Sequence, residues 1–313
     1  MEYVLYIGRR LLAAVPVLLG TTVIVFFMIH LVPGDPAVTL LGTHATPTAV
    51  AALHVQLGLD QPVWRQYLEF LGRLFQGDLG HSFFYQSSVT SLVLDRVGAT
   101  LWLIVAGTVF AVVLSVPLAV WAASRRNGLA DHVIRAVPLL GLGMPAFWLG
   151  IMLILVFALK LGLFPVSGYG TTVVEHLQGI VLPGLTVALA LTPILVRSLR
   201  TSMIDVLGSD YVTTAQAKGI GTARVVLGHA LRNAAVSSVT VLGVNIAYLV
   251  GSTLVVERVF SLPGIGTMMI DAIFNRDFPV VQGVTMTFAI MVVAVNLLTD
   301  VAHASLDPRV RLR

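Results

Sequence analysis

The sequence predicts an all-α polytopic membrane protein with six transmembrane helices and both termini in the cytoplasm, and three observations carry that prediction. The first is composition. The chain has 313 residues, 57% of them hydrophobic and only 11% charged, and its mean hydropathy is +0.93. A soluble domain carries about 25% charged residues, so a soluble fold of this chain would present too apolar a surface. The second is a recurrence of long apolar runs, at 11–31, 99–123, 133–159, 180–196, 234–256 and 280–302. Each is near the roughly 20 residues that cross a hydrocarbon core. The third is the placement of lysine and arginine. With the N-terminus inside, Arg9, Arg10, Arg125, Arg126, Arg135, Arg197, Arg200, Lys218, Arg224, Arg232, Arg309, Arg311 and Arg313 fall on the cytoplasmic side. Only Arg65, Arg73, Arg96, Lys160, Arg258 and Arg276 fall outside, which is the bias expected of cytoplasmic loops.

The elements follow in order. The run Leu11–Leu31 is too long for the apolar region of a signal peptide and no small-x-small cleavage pattern follows it, so it reads as a retained first span. The chain divides into residues 1–98, a span followed by a long external loop, and 99–313, a five-span core. Within the loop, LDQPVWRQYLEFLGRLFQGD predicts an amphipathic helix with Asp60 as N-cap and Pro62 in its first turn. Trp64, Tyr67, Leu68, Leu71 and Phe75 share one face; Arg65, Glu69 and Arg73 share another at i,i+4 spacing. Such a helix packs on the bundle, lies at the interface, or offers a platform to an external partner. The fourth run is the shortest and carries Pro183 and Pro193. Span five bears Gly243, Ala247 and Gly251 four apart, a small-residue face for close helix packing or for lining a pathway. Asn245 and Asn296 lie within spans five and six and are expected to face the bundle interior. Met144 and Phe147, beside Pro145, are candidates for a constriction in span three, with ordinary packing the alternative. After span five, ERVFSLPGIGTMMIDAIFNRDFPV reads as a segment folded back into the outer mouth.

Several chemistries are excluded. Cysteine is absent, and the eight histidines have no ligand spacing. Neither Lys160 nor Lys218 is followed by Ser or Thr, so the chain has no phosphate-binding loop of the GxxxxGK[ST] type. GLGMPA at 141–146 lacks the preceding strand that dinucleotide binding requires. No basic stripe interleaved with aromatics suggests nucleic acid. Ionisable residues deep in the spans are scarce, with Asp300 near the inner end of span six, which disfavours an ion-coupled secondary transporter. Such a pathway would draw its energy from elsewhere.

The inner loop DYVTTAQAKGIGTARVVLGHALRN, residues 210–233, is where that energy could enter. Ser209 or Asp210 can cap a helix through Lys218, Gly219 can end it with a left-handed turn, and Thr222 can cap a second helix from Ala223 to Arg232. Val226, Leu227, Ala230 and Ala234 would pack under the bundle. Asp210, Tyr211, Ala217, Lys218 and Arg224 complete the bracket. The alternative is a plain cytoplasmic loop retained by its basic residues.

This loop resembles the EAA loop of binding-protein-dependent ABC importer permeases. Thr213, Thr214 and Ala215 stand at the EAA positions, Gly219 at the glycine, and His229, Leu231 and Asn233 in the ending. Thr213 replaces the usual Glu, and Arg232 stands where Pro is often found; both departures resemble the dipeptide and oligopeptide branch, and no salt bridge carries over to Thr213. RRLLAAVPVLLG, HLVPGDPA, LGLDQPVWRQYLEFLGRLFQGDLGHSF and VERVFSLPGIGTMMIDAIFNRDFPVVQG are similar to the same branch, in the same order along the chain. The resemblance implies the type I importer permease fold and a bacterial cytoplasmic-membrane location. It implies half of a peptide translocation pathway, with 200–233 docking on a separate ATPase. It further implies a homologous second permease, two ATP-binding subunits that hold the ATP and Mg, an external solute-binding protein, and no cofactor on this chain. Permeases for nickel chelates, glutathione or haem share these features, so substrate stays open, and a membrane scaffold without transport is a further alternative.

Overall fold

The computed structural model describes residues 2–31, 36–41, 45–170 and 172–306. Arg309, Arg311 and Arg313 of the charge count, and 32–35 of the HLVPGDPA stretch, lie outside the described residues. The described residues are helical apart from turns, loops and one isolated bridge between His81 and Ser88. Helix α1 spans Glu2–Leu31, followed by the short α2 (Pro36–Leu41), α3 (Pro47–Leu57) and α4 (Val63–Phe75). The core comprises α5 (Val89–Ser124), α6 (Leu129–Leu142), α7 (Ala146–Leu153), α8 (Val173–Leu207), α9 (Asp210–Ala217), α10 (Thr222–Arg224), α11 (Leu231–Val259), α12 (Ile265–Phe274) and α13 (Phe278–Leu306). Inner and outer below follow the basic-residue bias.

Among the described residues, five helices are long and apolar enough to cross a membrane. The third expected span, 133–159, is instead broken at Gly143–Pro145 between α6 and α7. Pro145 disfavours helical backbone at the residue before it and takes the N-cap position of α7. The apolar helix Ala146–Lys160, whose last seven residues form wide π-type turns, is about 22 Å long at 1.5 Å per residue. That falls short of the roughly 30 Å core. The fourth span reverses the expectation. It is neither short nor interrupted, but a 35-residue helix opened by a capping box in which Thr172 and Glu175 bond each other's backbone N–H. Pro183 and Pro193 are buried among other helices, where freed backbone groups need not meet lipid.

Helix α8 is the axis of the bundle and packs along α5. Lipid-solvated helices gain little by hiding apolar surface from one another, so close backbone approach carries the association. Gly107 of α5 meets Val187, and Gly184 of α8 meets Phe110 and Ala106, so that a Cβ at Gly107 would collide with Val187 Cγ1. This pair of glycine contacts has no periodic signature in the sequence. The small-residue face of α11, by contrast, splits. A Cβ on Gly243 would collide with the Thr299 side chain of α13, whereas Gly251 has nothing within 4 Å. Eight residues separate the two glycines by about 12 Å along the axis, so the close contact at Gly243 need not continue to Gly251. Gly243→Val is therefore expected to reduce the yield of folded protein severalfold, with Gly251→Val near wild type. Size-exclusion profiles of fluorescently tagged variants check this.

Each end of the bundle is tied by polar contacts. At the inner end Arg10 of α1 pairs with Asp300 of α13 at 3.1 Å. At the outer end buried Asp277 accepts Ser82 Oγ at 2.5 Å and the Phe84 N–H at 3.1 Å, which anchors the external loop to the α12–α13 turn. Helix α4 rests on α1 through Tyr67, which bonds Thr22 at 2.9 Å, and through Phe70 and Tyr67 against Phe26. Its cap is Pro62 rather than Asp60; proline's fixed φ is preorganised for a helix start. The i,i+4 pair Arg65–Glu69 forms at 3.6 Å. Trp64, Leu68 and Phe75 of the predicted apolar face are exposed in the isolated chain, because only the Tyr67 side reaches α1.

Candidate functional site: the inner bracket

The loop 210–233 folds into two arms at the inner ends of α8 and α11. The first arm, α9, starts after Ser209, whose backbone is extended. Its hydroxyl does not cap the helix but turns back to the Val206 carbonyl at 2.5 Å. The helix ends at Gly219, whose φ of +79° is the left-handed region that favours glycine. The Gly219 N–H donates to Gln216 O at 2.9 Å and the Ile220 N–H to Ala215 O at 3.2 Å. Those two bonds are the paired closure of a Schellman motif, so the chain reversal is fixed rather than loose.

The second arm differs from the expectation. Gly221 holds the N-cap position, and Thr222 is the first helical residue rather than the cap. There is no separate helix from Ala223 to Arg232. Helix α10 runs through π-type turns at Val225–Ala230 straight into α11, giving one apolar helical rod from Thr222 to Val259. The wide turns rotate the buried face. Val225 is buried, together with Ala230 and Ala234, while Leu227 is 57% exposed. Val226 is partly buried against the cluster of Ala119, Ala123, Leu199, Met203, Ala230 and Ala234. That cluster joins α5, α8 and the foot of α11 beneath the bundle. In the first arm Val212 is buried; burying each valine contributes about 1.5 kcal/mol.

Asn233 links the arms. Its Nδ2 donates to Tyr211 Oη at 3.0 Å and to His229 O at 2.9 Å. The outward surface is small and smooth: Thr213 and Thr214 are exposed, but their hydroxyls bond the carbonyls of Ser209 (3.4 Å) and Asp210 (2.9 Å) on the same arm. Asp210, Ala217, Lys218, Arg224 and Arg232 are exposed, Ala215 and Leu231 half-buried. Among the described residues, none of the four charged ones makes an ion pair. The bracket therefore presents an exposed, mostly uncharged helix bordered by three basic groups and one acid.

A clamp that the sequence does not disclose lies just above it. Arg200, two turns before the end of α8, donates through Nε and Nη2 to the two oxygens of Asp131 at 2.5 and 2.6 Å. The Asn127 N–H donates to the same carboxylate at 3.0 Å, and Arg135 stands 3.7 Å away. Asp131 is fully buried. The Arg200 guanidinium holds its carboxyl at about 2, below the usual carboxylate range, against the opposing effect of burial. The clamp fixes the start of α6 to the helix that carries the bracket. From sequence, Arg200 reads as one more topological charge; only a pairing of Asp131 and Arg200 across 69 residues could have revealed it.

The four pathway candidates are not joined. Met144 lies in the break before α7 and Phe147 in its first turn, both exposed in the isolated chain. Asn245 bonds its own helix at Val241 O, 2.7 Å. Asn296 is exposed in this chain rather than turned into its bundle, and makes no side-chain hydrogen bond among the described residues. Among those residues no hydrogen bond or ring contact links the four, and no group of His, Asp or Glu side chains is arranged to hold a metal.

The described residues thus form a helical membrane bundle with a solvent-facing bracket on its basic side. Residues 115–312 match the family described as "Binding-protein-dependent transport system inner membrane component", and residues 3–104 match "Binding-prot-dependent transport system membrane comp, N-term". The glutathione transport system permease protein GsiC of Escherichia coli strain CFT073 is 37% identical over 308 residues, 98% of this chain and 99% of that protein. GsiC of Salmonella typhi gives the same figures, and GsiC of Escherichia coli strain K12 is 36% identical over the same span. Among solved structures, the inward-facing MetNI methionine ABC transporter aligns with a TM-score of 0.59 at 16% identity, covering 69% of this chain and 96% of that one. A likeness at that identity concerns the fold. The chain belongs to the binding-protein-dependent transport system inner membrane component family: it is a multi-pass inner-membrane permease component of an ABC importer.

Proposed function

We propose that this chain forms half of the translocation pathway of an ATP-driven importer of di- or oligopeptides and receives its driving force through residues 210–233. The observation that carries the reading is the bracket itself. A Schellman closure at Gly219, the Asn233–Tyr211 link and the apolar cluster beneath tie its two arms together, as transmission of a displacement requires. Its exposed, mostly uncharged α9 with basic neighbours suits a groove on a separate ATP-hydrolysing subunit, matched by shape and a few charges. On this reading Asp210, Tyr211, Thr213, Thr214, Ala215, Ala217, Lys218, Gly219, Arg224, His229, Leu231 and Asn233 form the coupling surface. Two ATP-binding subunits hold the ATP and Mg, a homologous permease supplies the other half of the pathway, and an external solute-binding protein delivers the substrate.

The family relationship favours small peptides. The relatives named above are glutathione permeases, and glutathione is itself a tripeptide, so a glutathione-like cargo falls within the same class. The test is ATP hydrolysis by the purified complex in lipid, with and without peptide-loaded binding protein. Stimulation by the loaded protein is expected. Absence of a co-purifying ATPase, or uptake that follows an ion gradient without one, would sink the proposal.

A further inference from the structure

The PGIG stretch after span five is not used by the bracket, and it encloses a fully buried acid. Glu257, in the last turn of α11, is 0% exposed. Its Oε1 accepts the Thr100 hydroxyl of α5 at 2.6 Å, and its Oε2 accepts the Thr267 N–H in the first turn of α12 at 2.9 Å. Thr100 Oγ1 in turn accepts the Ile265 N–H at 3.0 Å. The free N–H groups that begin α12 are thus capped by side chains of two other helices, and a carboxylate is the acceptor-only group that suits a helix N-terminus. The two glycines make room for it. A Cβ at Gly264 would collide with the Glu257 carboxylate, and one at Gly266 would lie 2.8 Å from Glu257 Oε2. The α11–α12 turn is closed as well, by Leu262 N–H to Glu257 O at 2.9 Å and Thr267 Oγ1 to Leu262 O at 3.1 Å.

Helix α12 is therefore not an independent cap on the outer mouth. It is fastened to the far end of the rod whose foot is the bracket, Thr222–Val259, about 57 Å away along the helix. We propose that Glu257 is a positioning residue for transport: its bond to the start of α12 makes α11 and α12 one body, which Thr100 seats against α5, so that displacement of the bracket is delivered to α12 at the outer mouth. This rests on the bracket being the coupling surface.

The chain contains no cysteine, so the double variant Glu257→Cys, Gly264→Cys introduces one pair at the point of contact. In the complete complex in lipid vesicles, with the oxidant-treated wild type as reference, the reduced pair is expected to lose roughly tenfold or more of peptide uptake. Basal ATP hydrolysis should persist. Oxidation should restore uptake, because the bond replaces the carboxylate tie without freezing any motion the cycle needs. Two results overturn the proposal: uptake blocked by oxidation, which would mean that α12 moves against α11, or unimpaired uptake in the reduced pair. If that pair does not assemble, Glu257→Gln decides. It keeps the volume but loses one of the two acceptors, so reduced uptake at normal assembly supports the role and unchanged uptake refutes it. Failure of Gly219→Val to uncouple transport would instead count against the bracket reading, so the two ideas fail separately.

Discussion

Gly219→Val is expected to lower peptide uptake by roughly tenfold or more while the complex still assembles. The position has φ +79°, and a Cβ added there would meet nothing within 4 Å, so the cost arises from backbone conformation and not from crowding. A β-branched residue in the left-handed region costs on the order of 1–3 kcal/mol, enough to open the Schellman closure and let α9 swing from the foot of α11. Gly219→Asn separates the two causes. Asparagine is similar in volume to valine but tolerates the left-handed region, so uptake should stay near wild type. Equal loss in both variants would show that side-chain volume, not the turn, is what matters. Uptake and binding-protein-stimulated ATP hydrolysis in proteoliposomes are the measurements.

The second large effect is expected at the clamp. Arg200→Ala leaves the buried Asp131 carboxylate without its bidentate partner. Breaking such a pair costs about 3–5 kcal/mol. The low end, about 3 kcal/mol, is expected because Arg135, at 3.7 Å, can turn toward the same carboxylate. The clamp should also leave a pH signature. The Asp131 carboxyl is held at about 2 when folded, against an ordinary 3.8. A carboxyl depressed in the folded state contributes stability that is fully present above its unfolded value and lost as pH falls through its folded one. The difference in thermal stability between wild type and Arg200→Ala should therefore be constant near neutrality and shrink between about pH 4 and pH 2. A difference independent of pH in that window would assign the loss to packing.

Local signals make much of the fold legible. The amphipathic α4, the reversal at Gly219 and five of the long helices follow from periodicity, glycine and hydropathy, each read within a few turns of chain. The structure departs from expectation where tertiary surroundings outweigh a local rule. Pro183 and Pro193 suggest a weak fourth span, yet they lie buried inside a 35-residue helix at the bundle's centre. Pro145 does break its helix, in a segment where Met144 and Phe147 are exposed. A 3.6-residue count places Leu227 inside and omits Val225, but the π-type turns at Val225–Ala230 shift the face and reverse the two.

The amino-acid sequence by itself determined that this chain lives in a membrane, biased its basic loops to one side, and marked the helix reversal at Gly219 that ends the first arm of the bracket. Those properties depend on composition and on short-range order: apolar length, charge bias, and one glycine at a helix end. The tertiary structure decided how the bracket is held and what the rod above it is fastened to. Asp131 meets Arg200, Asn233 meets Tyr211, and Glu257 meets both Thr100 and the start of α12. Each of these contacts joins different helices, and the buried acids among them are tolerable only because a partner satisfies them. A single charged or polar residue in a sequence does not disclose its partner, because that partner is chosen by how the helices pack.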